Sequence, residues 1–167
     1  MAILTILEYP DPRLKTIARP VEVFDASLAR LVADMGETMY AAKGVGLAAV
    51  QVDVPLRVLV LDVSPGHDHL QAFVNPRIAW ASEETARCEE GCLSVPEEYD
   101  FVTRPARVRV QAQDPAGAPF ELECEGMLSV CVQHEIDHLD GRVFVERLSM
   151  LKQARLRARI RKRRARA

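Results

Sequence analysis

The sequence predicts an α+β fold in which antiparallel β-sheets surround one central helix carrying the pattern H-E-x-x-H, with a further helix at the C-terminus. Three observations predict it. Residues 126–141 are apolar on most sides at helical spacing, which is typical of a buried helix. Residues 57–63 form a near-continuous β-type run, which indicates a central strand. Residues 107–124 alternate in the manner of strands on either side of an Asp-Pro-Ala-Gly turn, which predicts a hairpin.

The composition is that of an ordinary globular domain, with 49% hydrophobic and 28% charged residues in a chain of 167. Aromatic residues make up only 5%, so the core is expected to be aliphatic. Four cysteines without a secretion signal indicate a reducing compartment, and a cytoplasmic protein is expected. No apolar run is long enough to cross a bilayer, so no membrane partner is expected.

Charge is distributed unevenly along the chain. Of the 22 Lys and Arg residues, nine lie within 152–167, a segment that contains no acid. All 24 Asp and Glu residues therefore belong to the part that precedes it. An acidic body joined to a basic tail calls for a functional explanation, because net charge says little about the fold.

The first predicted helix runs from Asp25, a favourable N-cap, to about Lys43, where Gly44 can close it. Its apolar residues follow helical spacing, so one face is expected to pack on a core. These residues are Leu28, Leu31, Val32, Met35 and Met39.

The segment G-V-G-L-A-A-V-Q at 44–51 follows this helix at once. Its glycines and alanines predict a backbone that another group approaches closely, although a helix stop leading into a strand explains them equally well. After the strand at 57–63 and a turn at 64–69, a second strand region is expected at 72–81, broken at Asn75-Pro76. Trp80 is interpreted as a core residue.

The segment E-E-G-C-L-S-V-P at 89–96 places Cys92 beside a glycine and two acids. Such a cysteine is either a buried structural thiol, which is the usual case, or a thiolate ligand for a metal. The sequence around it leaves both interpretations open.

The predicted helix at 126–141 carries His134, Glu135 and His138. Positions i and i+4 lie on the same face of a helix, so both imidazoles can reach one ion, and Glu135 can reach a water bound to that ion. The alternative is a surface helix that happens to carry two histidines. The apolar residues on most sides of this helix favour a buried, dry site instead.

A last helix is expected after Ser149, a plausible N-cap. Its apolar stripe is thin, because it comprises only Leu151, Leu156 and Ile160, and arginines fill the other faces. We therefore expect this helix to hold no core.

Two histidines need at least one more protein ligand to form a metal site. One metallopeptidase class continues with a further histidine at the position that Phe144 occupies here. A second class uses a distant downstream glutamate, and the later carboxylates, Asp140 and Glu146, are too near. Cys92 is the best remaining candidate. A zinc-type metallopeptidase of the H-E-x-x-H class is the alternative function, and a non-enzymatic RNA-associated protein is a third hypothesis that depends on the tail alone.

Three segments together resemble the signature motifs of bacterial peptide deformylases, in the same order and at similar separations. They are G-V-G-L-A-A-V-Q at 44–51, E-G-C-L-S-V-P at 90–96 and Q-H-E-I-D-H-L-D-G at 133–141. The resemblance covers most of the chain between them and includes the arginine-rich final helix. It implies a metal-dependent hydrolase that removes the formyl group from the N-terminal formyl-methionine of newly made polypeptides.

The resemblance also implies a role for each residue of the metal site. Cys92, His134 and His138 would hold one divalent ion, which would be Fe²⁺ in the native protein and Zn²⁺, Ni²⁺ or Co²⁺ in some preparations. Glu135 would be the general acid/base.

The remaining implied residues contact the substrate. Gln51, through its side-chain amide, and Leu93, through its backbone N–H, would stabilise the tetrahedral oxyanion. Glu90 and Arg104 are expected to pair and brace the loop that carries the cysteine. The methionine side chain would enter a pocket lined by Val45, Val130, Cys131 and the ring of His134, and the substrate backbone would lie against Gly44 and Gly46.

The chain is accordingly divided into a catalytic domain at 1–148 and a basic C-terminal helix or tail at 149–167. Similar helices in relatives imply that this tail docks on the ribosome, through attraction to ribosomal RNA. The expected partners are therefore N-formylmethionyl nascent peptides and the ribosome, without DNA.

Overall fold

The computed structural model describes residues 2–166, which form two antiparallel β-sheets and three α-helices. The helices are α1 (Ala26–Ala41), α2 (Gly126–Leu139) and α3 (Met150–Arg166). The strands are β1 (Gly46–Ala48), β2 (Val58–Leu61), β3 (Gln71–Ala81), β4 (Thr85–Cys92), β5 (Val95–Pro105), β6 (Arg107–Gln113) and β7 (Pro119–Glu125). Short 3₁₀ helices lie at Pro12–Lys15, Ala49–Val52 and Phe144–Arg147. The predicted α+β class, with antiparallel sheets around the H-E-x-x-H helix and a C-terminal helix, is confirmed.

The larger sheet has the strand order β1-β2-β3-β6-β7, and every neighbouring pair is antiparallel. Strand β2 lies between two cores. Leu59 and Leu61 share a core with α2, whereas Val58 and Val60 share the core beneath α1. Successive side chains of a strand point to opposite faces, so a strand covered on both sides needs a continuous apolar sequence.

The predicted hairpin at 107–124 is confirmed, because β6 pairs with β7 along its whole length. Strand β3, however, is continuous through Asn75-Pro76, where a break was expected. Its register with β6 shifts between Val74 and Arg77, and Asn75 adopts a φ of +52°. A bulge at this point accommodates a proline, which cannot donate a ladder hydrogen bond.

The interpretation of Trp80 as a core residue is wrong, since its side chain is 43% exposed. It lies in the half of β3 whose residues are all exposed. The guanidinium groups of Arg107 and Arg109 lie 5.8 and 5.6 Å from the centre of its ring. Cation–π contacts of this kind stabilise an aromatic side chain at a surface.

The smaller sheet consists of β4 and β5, which pair from Thr85↔Pro105 to Cys92↔Val95. Its register shifts between Gly91 and Cys92, at the end of β4. This sheet brings the 90–96 segment to α2. The five-stranded sheet packs on another side of the same helix, so α2 lies between the two sheets.

The start of α1 follows its local sequence, but its C-terminal end differs from the prediction. Asp25 caps α1 by accepting hydrogen bonds from the backbone of Ser27 and Leu28, at 3.0 and 3.2 Å. The left-handed residue that follows α1 is Lys43, with a φ of +60°, rather than the expected Gly44. Beyond α2, a Cβ on Gly141 would lie 2.5 Å from the carbonyl oxygen of Lys15, so only glycine fits there.

The expectation that the C-terminal helix holds no core is wrong. Leu156 and Ile160 of α3 are buried in a third core, together with Phe144 and residues of β5. Ser149 caps the helix as predicted, because its hydroxyl accepts the backbone N–H of Lys152 at 3.2 Å. These two side chains form the buried face of α3, and ion pairs with β5 also hold the helix against the body. No helix among the described residues is long and apolar enough to span a membrane.

Those ion pairs converge on Glu98 of β5, a buried carboxylate. Arg159 donates its Nε to Glu98 Oε1 at 2.9 Å, and Arg163 pairs with the other oxygen. Burial by itself would raise the pKa of Glu98, but the hydrogen bonds from the two arginines outweigh it and lower the pKa below its usual range.

We expect Glu98→Gln to lower the free energy of unfolding at pH 7 by roughly 1–3 kcal/mol, because a hydrogen-bonded buried charge is lost. The lowered pKa makes this stabilisation complete above about pH 4.3 and progressively weaker as the pH falls through the folded-state pKa. Urea unfolding at neutral and acidic pH should therefore show parent and variant converging at low pH. Glu97→Gln is the control, since that exposed side chain approaches the same Arg163 at 3.5 Å. If the difference in unfolding free energy between the parent and Glu98→Gln did not change with pH, the charge of Glu98 would not be the source of the stabilisation.

Candidate metal centre

The two histidines of the H-E-x-x-H sequence lie side by side on α2. Their ring centres are 5.1 Å apart, and both side chains are buried. Helical geometry alone brings i and i+4 together, and the apolar residues around them exclude water. His134 and His138 therefore lie next to each other in a buried part of the molecule.

Cys92 lies at the end of β4, directly beyond the register shift, and its thiol points at these rings. Its Sγ is 3.2 Å from Nε2 of His138. One donor atom from each of Cys92, His134 and His138 lies within 4.8 Å of the other two. A thiol and two imidazoles at this separation are a donor set that suits a divalent transition-metal ion, and these three residues would hold it.

The Nδ1 atom of His134 lies 3.0 Å from Glu90 Oε1, which leaves Nε2 directed toward the pocket. The expected pair between Glu90 and Arg104 is present. Arg104 donates Nε and Nη2 to the two oxygens of Glu90, at 2.6 and 2.9 Å, and both side chains are buried. A carboxylate behind a histidine fixes its tautomer and ring orientation, which is the usual support of a metal-binding imidazole.

Glu135 is buried beside this set, and its Oε2 has no hydrogen-bond partner among the described residues. Burial raises the pKa of Glu135 to about 7, so the carboxyl can accept and release a proton near neutrality. Gly46 of β1 makes room for it, because a Cβ there would approach Glu135 Cγ to 3.1 Å.

Gln51, at the end of the 44–51 segment, is buried, and both the oxygen and the nitrogen of its side-chain amide form hydrogen bonds. Its Oε1 accepts the backbone N–H of Ala48 at 2.9 Å, and its Nε2 donates to Ser94 Oγ at 3.0 Å. The same Nε2 lies 3.5 Å from Cys92 Sγ. Leu93 occupies the turn between these residues, and its Cδ1 fills the place where a Cβ of Gly44 would lie, at 2.5 Å.

A cavity of about 630 Å³ opens in front of these groups. The structure places every residue of the predicted methionine pocket on its wall, together with Leu93, His134 and Glu135. His138 and Gln51 do not line it. The predicted pocket residues found there are Gly44, Val45, Gly46, Val130 and Cys131.

Several residues at the site escaped the sequence analysis. Ser94 holds Gln51, although it lies within a segment that was singled out for its cysteine. Phe144, noted only for not being a ligand, is buried with its ring centre 6.0 Å from that of His134. Asp137, inside the H-E-x-x-H sequence, accepts hydrogen bonds from Arg104 and Arg147. Only their side-chain types could have indicated from the sequence that these residues belong to the site, since none of them lies at a distinctive spacing.

A thiolate and two imidazoles, with a buried carboxyl of raised pKa beside them and a cavity in front, define the class of metal-dependent hydrolases. A family model described as polypeptide deformylase matches residues 3–154. The chain belongs to the peptide deformylase family.

Similarity to individual proteins extends over nearly the full length. The chain is 58% identical to a peptide deformylase 1 of Ralstonia nicotianae over 162 residues, which cover 97% of this chain and 96% of the relative. A peptide deformylase of Chromobacterium violaceum is 58% identical over 98% of this chain and 97% of its own. The crystal structure of a Legionella pneumophila peptide deformylase superposes with a TM-score of 0.92, at 47% identity and 99% coverage of both chains.

The enzyme is thus a hydrolase that removes the N-formyl group from nascent peptides, and it carries a Cys-His-His metal site. The metallopeptidase alternative is not supported, because the family is a deformylase family and the third donor is a thiol. The structural-thiol interpretation of Cys92 is also not supported, since its Sγ faces two imidazoles.

We expect Cys92→Ala to lose the bound metal and nearly all deformylation, because two imidazoles alone leave the ion under-coordinated. Metal content per chain after gel filtration, together with hydrolysis of a formyl-Met peptide, measures both effects. Cys88→Ala is the matched control, since Cys88 lies on the same strand and outside the donor cluster. A metal-replete, active Cys92→Ala protein would refute the ligand assignment.

Proposed function

We propose that Cys92, His134 and His138 bind one divalent ion, that this ion is Fe²⁺ in the native enzyme, and that Zn²⁺, Ni²⁺ or Co²⁺ can take its place. The observation that carries this proposal is the approach of three soft or borderline donors to within 4.8 Å of one another, beside a buried carboxyl. Such a donor set suits several divalent ions of the first transition row, and the deformylase resemblance favours iron.

Glu135 acts as general acid and base in this proposal. A divalent ion held by Cys92, His134 and His138 would supply Lewis acidity, which makes water a stronger acid at neutral pH. Glu135 accepts the proton of the attacking water and passes it to the amine that leaves as formate is released. Its buried position and its raised pKa near 7 support this role, because both protonation states are then accessible at neutral pH.

Gln51 and Leu93 stabilise the tetrahedral oxyanion. The position of the Gln51 amide is fixed by Ala48 and Ser94, and its Nε2 lies 3.5 Å from Sγ of Cys92, beside the metal donors. A donor that is already oriented costs no reorganisation when charge develops on the formyl oxygen. The backbone N–H of Leu93, next to the metal ligand, is the second donor.

The formyl-methionine side chain enters the cavity along a wall that includes Val45, Val130 and Cys131. An aliphatic and sulfur-containing lining suits an unbranched thioether. The peptide backbone extends past Gly44 and Gly46, in the manner of an added strand. Because the Cβ positions of both glycines are filled by Leu93 and Glu135, these glycines serve the packing of the site as well as the approach of substrate.

The chain divides by function into a catalytic domain at 1–148 and a basic C-terminal helix or tail at 149–167. We place the enzyme in the cytoplasm, where formylated chains are made, and its four free cysteines support a reducing compartment. The division concerns roles only, since α3 shares a core with the body.

The basic helix docks the enzyme on the ribosome. Arg159 and Arg163 are engaged with acids of β5, but Arg155, Arg161 and Lys162 are exposed and form no ion pair among the described residues. Exposed cations on one helix attract the phosphates of ribosomal RNA mainly through counterion release. Attachment there would keep the enzyme near emerging N-termini.

The catalytic assignment is tested by Glu135→Gln. The amide keeps the shape of the side chain but cannot move the proton, so turnover of a formyl-Met peptide should fall by about 10² or more while metal content stays at the parental level. Glu146→Gln, an exposed carboxylate outside the cavity, is the control. Parental turnover in purified, metal-replete Glu135→Gln would rule out Glu135 as the acid/base.

The docking proposal is tested by changing Arg155, Arg161 and Lys162 together to Gln, which leaves the buried face of α3 intact. Cosedimentation with ribosomes should weaken, and the slope of log affinity against log salt should become shallower by about two to three. Hydrolysis of a short formyl-Met peptide should not change. The matched control neutralises three exposed body residues, Lys15, Arg30 and Arg142. Equal ribosome binding by the two triple variants would refute a docking role for the helix.

A further inference from the structure

The 3₁₀ helix Phe144–Arg147, between α2 and α3, contacts the metal centre in two ways. The ring of Phe144 stacks on His134. At the other end, Arg147 donates Nε and Nη2 to the two oxygens of Asp137, at 2.7 and 2.9 Å. A bidentate guanidinium–carboxylate pair has a fixed relative orientation, so Arg147 defines where the Asp137 carboxylate lies.

A continuous series of hydrogen bonds runs from that carboxylate to the metal ligand. Asp137 Oδ2 also accepts Nη1 of Arg104 at 2.9 Å. Arg104 holds both oxygens of Glu90, and Glu90 Oε1 lies 3.0 Å from Nδ1 of His134. Arg147 is therefore connected to His134 through three buried side chains without contacting it.

The charges along this series balance only when Arg147 is included. Glu90 and Asp137 are two buried carboxylates, and Arg104 is one buried guanidinium shared between them. Arg147, whose side chain is 37% exposed, supplies the second positive charge. Without it, Arg104 alone would have to compensate both acids in a region of low dielectric, where an uncompensated charge is costly.

We propose that Arg147 is a positioning residue for the metal ligand His134. Arg147 donates hydrogen bonds to both oxygens of Asp137, so Nε and Nη2 of Arg104 remain bound to Glu90. Glu90 in turn holds the imidazole with its Nε2 toward the metal. The inference rests on the proposed role of His134 as a ligand. Outer partners of a metal-binding histidine typically change metal affinity about 10–100-fold when they are altered.

A nearby ion pair serves as a matched control. Arg57 donates Nη1 to Asp140 at 3.0 Å, just beyond the same end of α2. That pair also supports the helix end, but no hydrogen bond connects it to Glu90 or His134 among the described residues. Substitution of Arg57 therefore removes a guanidinium–carboxylate contact at the same end of α2 without touching the series that leads to the ligand.

The experiment measures the rate at which Zn²⁺-loaded protein releases its metal to a colorimetric chelator. Arg147→Met should accelerate release about tenfold relative to the parent, whereas Arg57→Met should leave it within about twofold. Arg147→Lys, which keeps the charge but not the bidentate geometry, should give an intermediate rate. If Arg147→Met does not fold, the intermediate rate of Arg147→Lys carries the test. Thermal unfolding midpoints separate an effect on release from one on stability, because a purely structural role would give Arg147→Met and Arg57→Met the same release rate.

A double-mutant cycle shows whether Arg147 acts through Glu90. Glu90→Gln should itself accelerate release, and adding Arg147→Met to it should have much less effect than Arg147→Met has alone. Fully additive effects would overturn the inference, as would a parental release rate for folded Arg147→Met. Failure of the ligand assignment looks different. In that case the parent would not bind one Zn²⁺ per chain, whereas an unchanged release rate in Glu90→Gln would overturn the inference itself.

Discussion

The structure of the site depends on the buried contact between Arg104 and Glu90. It joins β5 to β4, and through Glu90 it reaches His134 on α2, so the smaller sheet and the helix are held in one geometry. Removing two charges from water is costly, and this cost is offset only when every oxygen and N–H is satisfied. Asp137 on α2 accepts a hydrogen bond from Nη1 of Arg104, the nitrogen that Glu90 does not bind. The electrostatic network and the donor geometry at the metal centre are therefore parts of one arrangement.

The three sequence segments that mark the family are also pieces of one packing unit. Two glycines of the first segment are approached by side chains of the other two: Leu93 Cδ1 lies 2.5 Å from the Cβ position of Gly44, and Glu135 Cγ lies 3.1 Å from that of Gly46. A methyl group at Gly46 would have to displace the Glu135 carboxyl by a few tenths of an ångström, enough to disturb a proton transfer that requires close distances. Each segment thus constrains a neighbour that is distant in sequence.

The sequence revealed those parts of the fold and site that depend on local periodicity or fixed spacing. The H-E-x-x-H helix, the 107–124 hairpin and the cap at Asp25 follow from short-range rules. The β4–β5 sheet was not predicted, because it contains acids whose partners only the folded chain supplies, as α3 does for Glu98. The same reason explains the errors at α3 and Trp80. Burial of a thin stripe, or exposure of an aromatic ring, is decided by tertiary contacts.

The position of α3 has a consequence for how the enzyme matures. Leu156 and Ile160 cover the core that contains Phe144, and Phe144 in turn stacks on His134. Residues 150–166 are translated after everything that they cover, and domains acquire their structure during synthesis from the N-terminal side. A newly made chain therefore cannot close this core until its basic helix is free of the ribosome. The packing behind His134 is therefore completed by a part of the chain that is translated after the helix carrying that histidine.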